Sequence, residues 1–108
     1  MTKALQILGL ARRAGAVAPG TTATRRSISQ GEACVVLMAE DASSAQLDKI
    51  RRTMRKRIIP QVLLGDRATL GAAIGKAPIT AVAVTDASLA GRLLESIDGE
   101  IMVDEGRD

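Results

Sequence analysis

Apolar positions in this chain recur at two different periods, and the switches between them mark its elements. From residue 3 to 14, Ala4, Leu5, Ile7, Leu8 and Ala11 fall near every 3.6 residues, the spacing of one buried helix face. Thr2 stands at an N-cap position and Gly15 where such a helix stops. Ala16-Val17-Ala18 is a short extended piece. Pro19-Gly20 then turns into a second helix, capped by Thr21 or Thr22 and running to Gln30. Glu32 to Ala39 is a continuous apolar run, as in a strand covered on both faces.

Asp41-Ala42-Ser43-Ser44 reads as loop and cap before a helix from Ala45 to Arg57, with Leu47, Ile50, Met54 and Ile58 as its buried stripe. Ile59 to Gly65 predicts a second buried strand, with Pro60 near its start, where a donor can be spared. Asp66 caps a helix over Arg67 to Ile74, ended by Gly75. Thr80 to Thr85 is a third strand of small and β-branched residues. Asp86 or Ser88 begins a last helix that buries Leu89, Leu93 and Ile97 and ends at Gly99. Beyond it, Ile101-Met102-Val103 offers an edge strand. Helices alternating with apolar strands predict an α/β fold: a three-layer α/β/α sandwich around a small mixed sheet. Residues 1–97 form one domain, and 98–108 an acidic, flexible tail.

Composition narrows the chemistry. The 108 residues contain no His, Phe, Tyr or Trp, and a single cysteine, Cys34. Without histidine there is no His-based acid–base catalysis and no His metal site. Cys34 lies in an apolar strand and reads as a small core residue rather than a nucleophile. Without aromatics there are no stacking platforms for single-stranded nucleic acid. No apolar run is long enough to cross a membrane. The N-terminus lacks a signal-peptide core, which fits a cytoplasmic protein. Net charge is +3, but residues 98–108 hold five acids against Arg107, a net of −4, so residues 1–97 carry +7. A basic body favours a polyanionic partner.

The strongest candidate site is Pro19 to Gly31. A helix start exposes free N–H groups and the positive end of a dipole, which accept phosphate. Arg25 and Arg26 follow one turn on. Arg12 and Arg13 complement the dipole of the first helix or meet the same polyanion. Arg51-Arg52-Thr53-Met54-Arg55-Lys56-Arg57 is the densest charge cluster; it is a solvated outer face or a secondary RNA contact. Gly71 to Lys76 resembles part of a phosphate loop but lacks the Ser/Thr after the lysine and reads as helix, so nucleotide hydrolysis is not expected. Glu40-Asp41 is a carboxylate pair without a matching partner and reads as strand-end solvation and loop capping.

Leu8-Gly9-Leu10-Ala11-Arg12-Arg13-Ala14-Gly15, Gly20-Thr21, Leu37-Met38-Ala39-Glu40-Asp41-Ala42, Leu70 to Gly75 and Ala81 to Asp86 occur in that order. Together they resemble the ribosomal "L-seven-Ae" superfamily of kink-turn RNA-binding proteins, specifically its short bacterial YlxQ-like branch, over residues 3 to 97. The resemblance implies an α/β/α sandwich that binds kinked RNA. It implies that Gly20, Thr21 and the following helix enter the distorted groove. Arg26 falls where the family has a lysine. Ile74, Gly75, Lys76 and Ala77 fall in or beside an aliphatic loop against an extruded nucleotide. The family's guanine-reading Asn-Glu pair falls on Thr22 and Ala23, and there the chain departs from the pattern. Thr22 keeps one hydroxyl and Ala23 has no side-chain hydrogen-bonding group, so phosphate and shape recognition should outlast sequence reading.

The expected function is therefore non-enzymatic binding of structured RNA, such as ribosomal RNA, through Gly20, Thr21, Thr22, Arg25, Arg26, Ile74, Gly75, Lys76 and Ala77. No metal, cofactor, membrane or small-molecule substrate is expected. The other reading is a protein-interaction module of the ribosome or the transcription–translation machinery, motivated by the Thr22-Ala23 departure and the acidic tail.

Overall fold

The computed structural model describes residues 2–105, with side chains described for residues 3–97. Helix α1 (Thr2–Arg13) leads to β1 (Val17–Pro19) and α2 (Thr21–Ser29). β2 (Val35–Met38) and α3 (Ser44–Thr53) follow, and α3 tightens into a 3-10 turn at Met54–Lys56. Then come β3 (Gln61–Leu63), α4 (Arg67–Ala73), β4 (Ala81–Val84) and α5 (Ala87–Glu105). The sheet order is β1-β4-β2-β3. β4 is antiparallel to both β1 and β2, whereas β3 is parallel to β2.

The two central strands show why the sandwich has three layers. Successive residues of a strand face opposite sides of the sheet. Val35, Leu37, Val82 and Val84 join one core with Leu8, Leu70, Ile74 and Leu93, under α1, α4 and α5. Val36, Met38, Ala81 and Ala83 join another with Ile28, Leu47, Ile50 and Met54, under α2 and α3. All four residues of β2 and of β4 are buried. Each large side chain removed from water contributes about 1.5–3 kcal/mol to folding.

Three expectations need correction. β3 is an edge strand, with Gln61 exposed and Leu63 48% exposed, because among the described residues only β2 pairs with it. Ile58 does not continue the buried stripe of Leu47, Ile50 and Met54: it is fully exposed. The backbone tightens at Met54–Lys56 and Arg57 is extended, with φ −136° and ψ 141°, so the helical period ends before Ile58. Gly99 does not end α5, and residues 101–103 lie in that helix rather than in an edge strand. An interior glycine costs a helix only about 1 kcal/mol. The last residues of the expected flexible tail, 106–108, lie outside the described residues.

Candidate nucleic-acid interface

Strand register gathers several loops at one end of the sheet. Pro19 lies opposite Val82, and Met38 opposite Ala81. The Gly20 N–H donates to the Ala81 carbonyl at 2.8 Å. β3 is parallel to β2, so Gly65 and Asp66 lie at this end as well. The starts of α2, α3 and α4 therefore share it with the segment that leads into β4.

Two of these helix starts are closed by side chains. Ser43 accepts from the Gln46 N–H at 3.2 Å in α3, and Asp66 accepts from the Thr69 N–H at 2.7 Å in α4. Asp41 accepts the Arg67 N–H at 2.8 Å and pairs with its guanidinium Nε at 3.5 Å. The Glu40-Asp41 pair thus contributes capping through Asp41. Hydrogen bonding from Thr69, its side chain first and its backbone N–H second, holds the Asp66 carboxyl below its ordinary pKa.

Helix α2 begins differently. Its N-cap is Gly20, at φ 91° and ψ 164°, with no side-chain cap bond; that backbone region is nearly exclusive to glycine. Thr21 and Thr22, expected as caps, are the first two helical residues. Gly20 keeps its N–H on the sheet while its carbonyl accepts the Thr24 N–H at 2.9 Å, so the chain turns into helix before either threonine can take the extended conformation of a cap. The N–H groups of this first turn have no side-chain cap and present the positive end of the helix.

The rest of α2 is split by period. Thr24, Ser27 and Ile28 are buried. The Thr24 hydroxyl donates to the Ala18 carbonyl at 3.2 Å, and that of Ser27 to the Thr24 carbonyl at 2.9 Å. These short side chains satisfy themselves on backbone, on the sheet face where β4 offers only Ala81 and Ala83. Thr22, Arg25, Arg26 and Ser29 are exposed, three and four residues apart on one outward stripe. Arg25 Nε donates to Thr53 Oγ1 at 2.9 Å, which turns Arg25 toward α3. Thr21 and Ala23 are half-buried.

The loop after α4 also needs a correction. Gly75, Lys76 and Ala77 are exposed. Ile74 is fully buried among the core residues; as the C-cap of α4 it anchors the loop instead of presenting an aliphatic surface. Lys76 N–H donates to the Gly71 carbonyl at 2.8 Å. A Cβ on Gly71 would lie 2.2 Å from the Ala77 oxygen, so the loop can fold back on α4 only over a glycine. The Arg12 guanidinium carbon lies 3.7 Å from where a Cβ on Gly75 would stand, which adds a cation from α1 to this loop.

Among the described residues no group of His, Cys, Asp or Glu could hold a metal ion, and no helix is long and apolar enough to cross a membrane. Sequence reasoning missed Thr53 as the partner of Arg25, and Thr24 and Ser27 as the polar residues that seat α2. The only signal was polar residues on a helix face that should be apolar.

Comparisons with known proteins bear on the fold and the family. The RNA-binding protein YlxQ of Bacillus subtilis (strain 168) is 37% identical over 92 residues, covering 85% of this chain and 92% of that protein. The large ribosomal subunit protein eL8 of Thermoplasma volcanium is 29% identical over 96 residues, covering 88% and 79%. A solved structure from Bacillus halodurans, described as a protein with unknown function, superposes with a TM-score of 0.84 at 31% identity, covering 91% of this chain and 99% of that one. The Giardia lamblia 15.5kD RNA binding protein shares the fold, with a TM-score of 0.71 at 18% identity over 92% and 84% of the two chains. Residues 2–93 match the ribosomal protein L7Ae/L30e/S12e/Gadd45 family, and the chain belongs to that family.

Proposed function

We propose that this chain is a non-enzymatic RNA-binding protein that recognises structured, kink-turn-like RNA in association with the ribosome. The observation that carries the reading is the start of α2. Gly20 leaves its first turn without a side-chain cap, and Thr22, Arg25 and Arg26 line the exposed stripe behind it. Backbone N–H groups and the helix dipole take a phosphate there, and the arginines add charge along the same strand. Gly75, Lys76 and Ala77 form the second contact, with Arg12 beside them. Ile74 shapes that loop from within the core. The name of the Bacillus subtilis relative, RNA-binding protein YlxQ, supports RNA as the partner, and that of eL8 supports the ribosome.

Thr22 and Ala23 shift recognition away from base edges. One hydroxyl can make a single base contact, whereas a side-chain pair of good geometry discriminates by about 1–3 kcal/mol. Affinity then rests on phosphate and RNA shape. The decisive titration compares a kink-turn duplex with the same duplex after its G·A pairs become Watson–Crick pairs, at two salt concentrations. Preference for the kinked form is expected, with affinity falling steeply as salt rises. Equal affinity would reduce the protein to a general RNA-backbone binder. Binding to neither would favour the protein-interaction reading, which the loss of the Asn-Glu pair motivates.

A further inference from the structure

The basic segment after α3 is not used by the site at the start of α2, yet it is not an undifferentiated solvated face. Ser29, Arg52, Thr53, Arg55, Lys56 and Arg57 line a groove of about 630 Å³ between the ends of α2 and α3. Its shape is built by specific contacts. Arg57 Nη2 donates to the Ser29 carbonyl at 3.1 Å, which places a cation at the negative end of α2. Thr53 donates to the Lys49 carbonyl at 3.0 Å and accepts from Arg25 at 2.9 Å. The ion pairs among the described residues are Arg51 with Asp48 and Arg67 with Asp41. None of the groove's cations takes part in them. A cluster of like charges without counterions among the described residues repels itself and attracts a polyanion.

From these observations we infer that the groove is a further RNA-backbone contact, beyond the start of α2 and the loop after α4, which holds the phosphates of a stem that continues past the kink. This rests on the function proposed above. The exposed stripe of α2 supplies the path. Thr22 lies at the open helix start, Arg25 reaches from mid-helix to Thr53, and Ser29 reaches the groove. At 1.5 Å per residue, Thr22 and Ser29 lie about 10 Å apart along the helix. Arg25 is the link between them.

The test uses the full chain and two kink-turn RNAs, one with minimal stems and one with a stem lengthened by about a helical turn. The groove variant is Arg52→Gln, Arg55→Gln and Lys56→Gln combined, which leaves Arg57 on Ser29. The wild type should bind the longer RNA more tightly and with a steeper dependence on salt. The groove variant should lose that gain, with its salt slope lower by about 2–3 units on the longer RNA, and keep the wild-type affinity for the minimal one. That retained affinity also shows that the variant is folded. If the longer stem adds nothing, or the variant keeps the gain, the inference is overturned. Loss of binding to the minimal RNA by a variant that melts like the wild type would overturn it too, by merging the groove with the first site. Failure of the wild type to prefer kinked over straight RNA is a separate result and counts against the proposed function alone. If the wild type binds neither RNA, both readings fall.

Discussion

Arg25 Nε donates to the hydroxyl of Thr53 at 2.9 Å, across 28 residues of sequence. The bond ties an arginine of α2 to the last turn of α3 and sets where its charge is presented. Thr53→Val removes the acceptor without changing charge. It should leave the salt slope of RNA binding unchanged and weaken affinity by no more than about tenfold, the worth of one net hydrogen bond. Titrations at several salt concentrations separate the two quantities, and a changed slope would show that Thr53 does more than orient Arg25.

Replacing both Arg25 and Arg26 with Ala should weaken RNA binding and lower its salt slope by roughly 1–2 units. Thermal stability should change little, because both side chains are exposed. An unchanged slope would remove α2 from the interface.

Thr22→Asn combined with Ala23→Glu introduces the base-reading pair that the family resemblance implies at these positions. The double variant should gain about 1–3 kcal/mol of discrimination between kinked and Watson–Crick duplexes. The comparison is the ratio of two dissociation constants, so a general change in affinity cancels. No gain would mean that this α2 does not sit in the kinked groove.

Two glycines should resist substitution for different reasons. Gly20→Ala meets nothing within 4 Å but is forced to φ 91°, which costs about 1–3 kcal/mol and re-aims the start of α2. Gly71→Ala has no such dihedral problem, but its Cβ meets the Ala77 oxygen and displaces the loop that carries Lys76. Chemical denaturation should show both variants destabilised. RNA affinity should fall beyond that expected from unfolding alone.

Asp66 gives the stability curve a defined acid limb. Its carboxyl titrates below its ordinary value of 3.8, because Thr69 hydrogen-bonds the charged form. The folded state therefore binds a proton less readily than the unfolded one. The cap is fully in place above about pH 4 and is lost as pH falls through the lowered value. Asp66→Ala should melt below the wild type at pH 7, with the gap closing in acid. A gap that stays constant with pH would exclude a role for the charge.

Much of the fold is legible in the chain because its rules are local. The alternation of Val35 to Met38 and of Ala81 to Val84 divides two cores. Ser43, Asp66 and Asp86 each cap the helix that follows, with Asp86 accepting from the Leu89 N–H at 2.9 Å. Each of these outcomes depends on residues within a few positions of one another. Fold class, the central strands and the basic helix start all follow from them.

Other features were settled only when distant segments met. β3 is an edge because no other described strand pairs beyond it, and Ile58 is exposed because the helix tightens before reaching it. The threonines of α2 lost the cap position to Gly20 once its N–H was committed to Ala81. Ile74 became core, and Arg12 came to stand beside Gly75. Arg25 found Thr53, and Arg57 found the end of α2. A sequence pattern records which residues prefer burial or a helix end. Which buried surface, hydrogen-bond acceptor or neighbouring charge each one meets depends on the packing of layers that lie far apart along the chain.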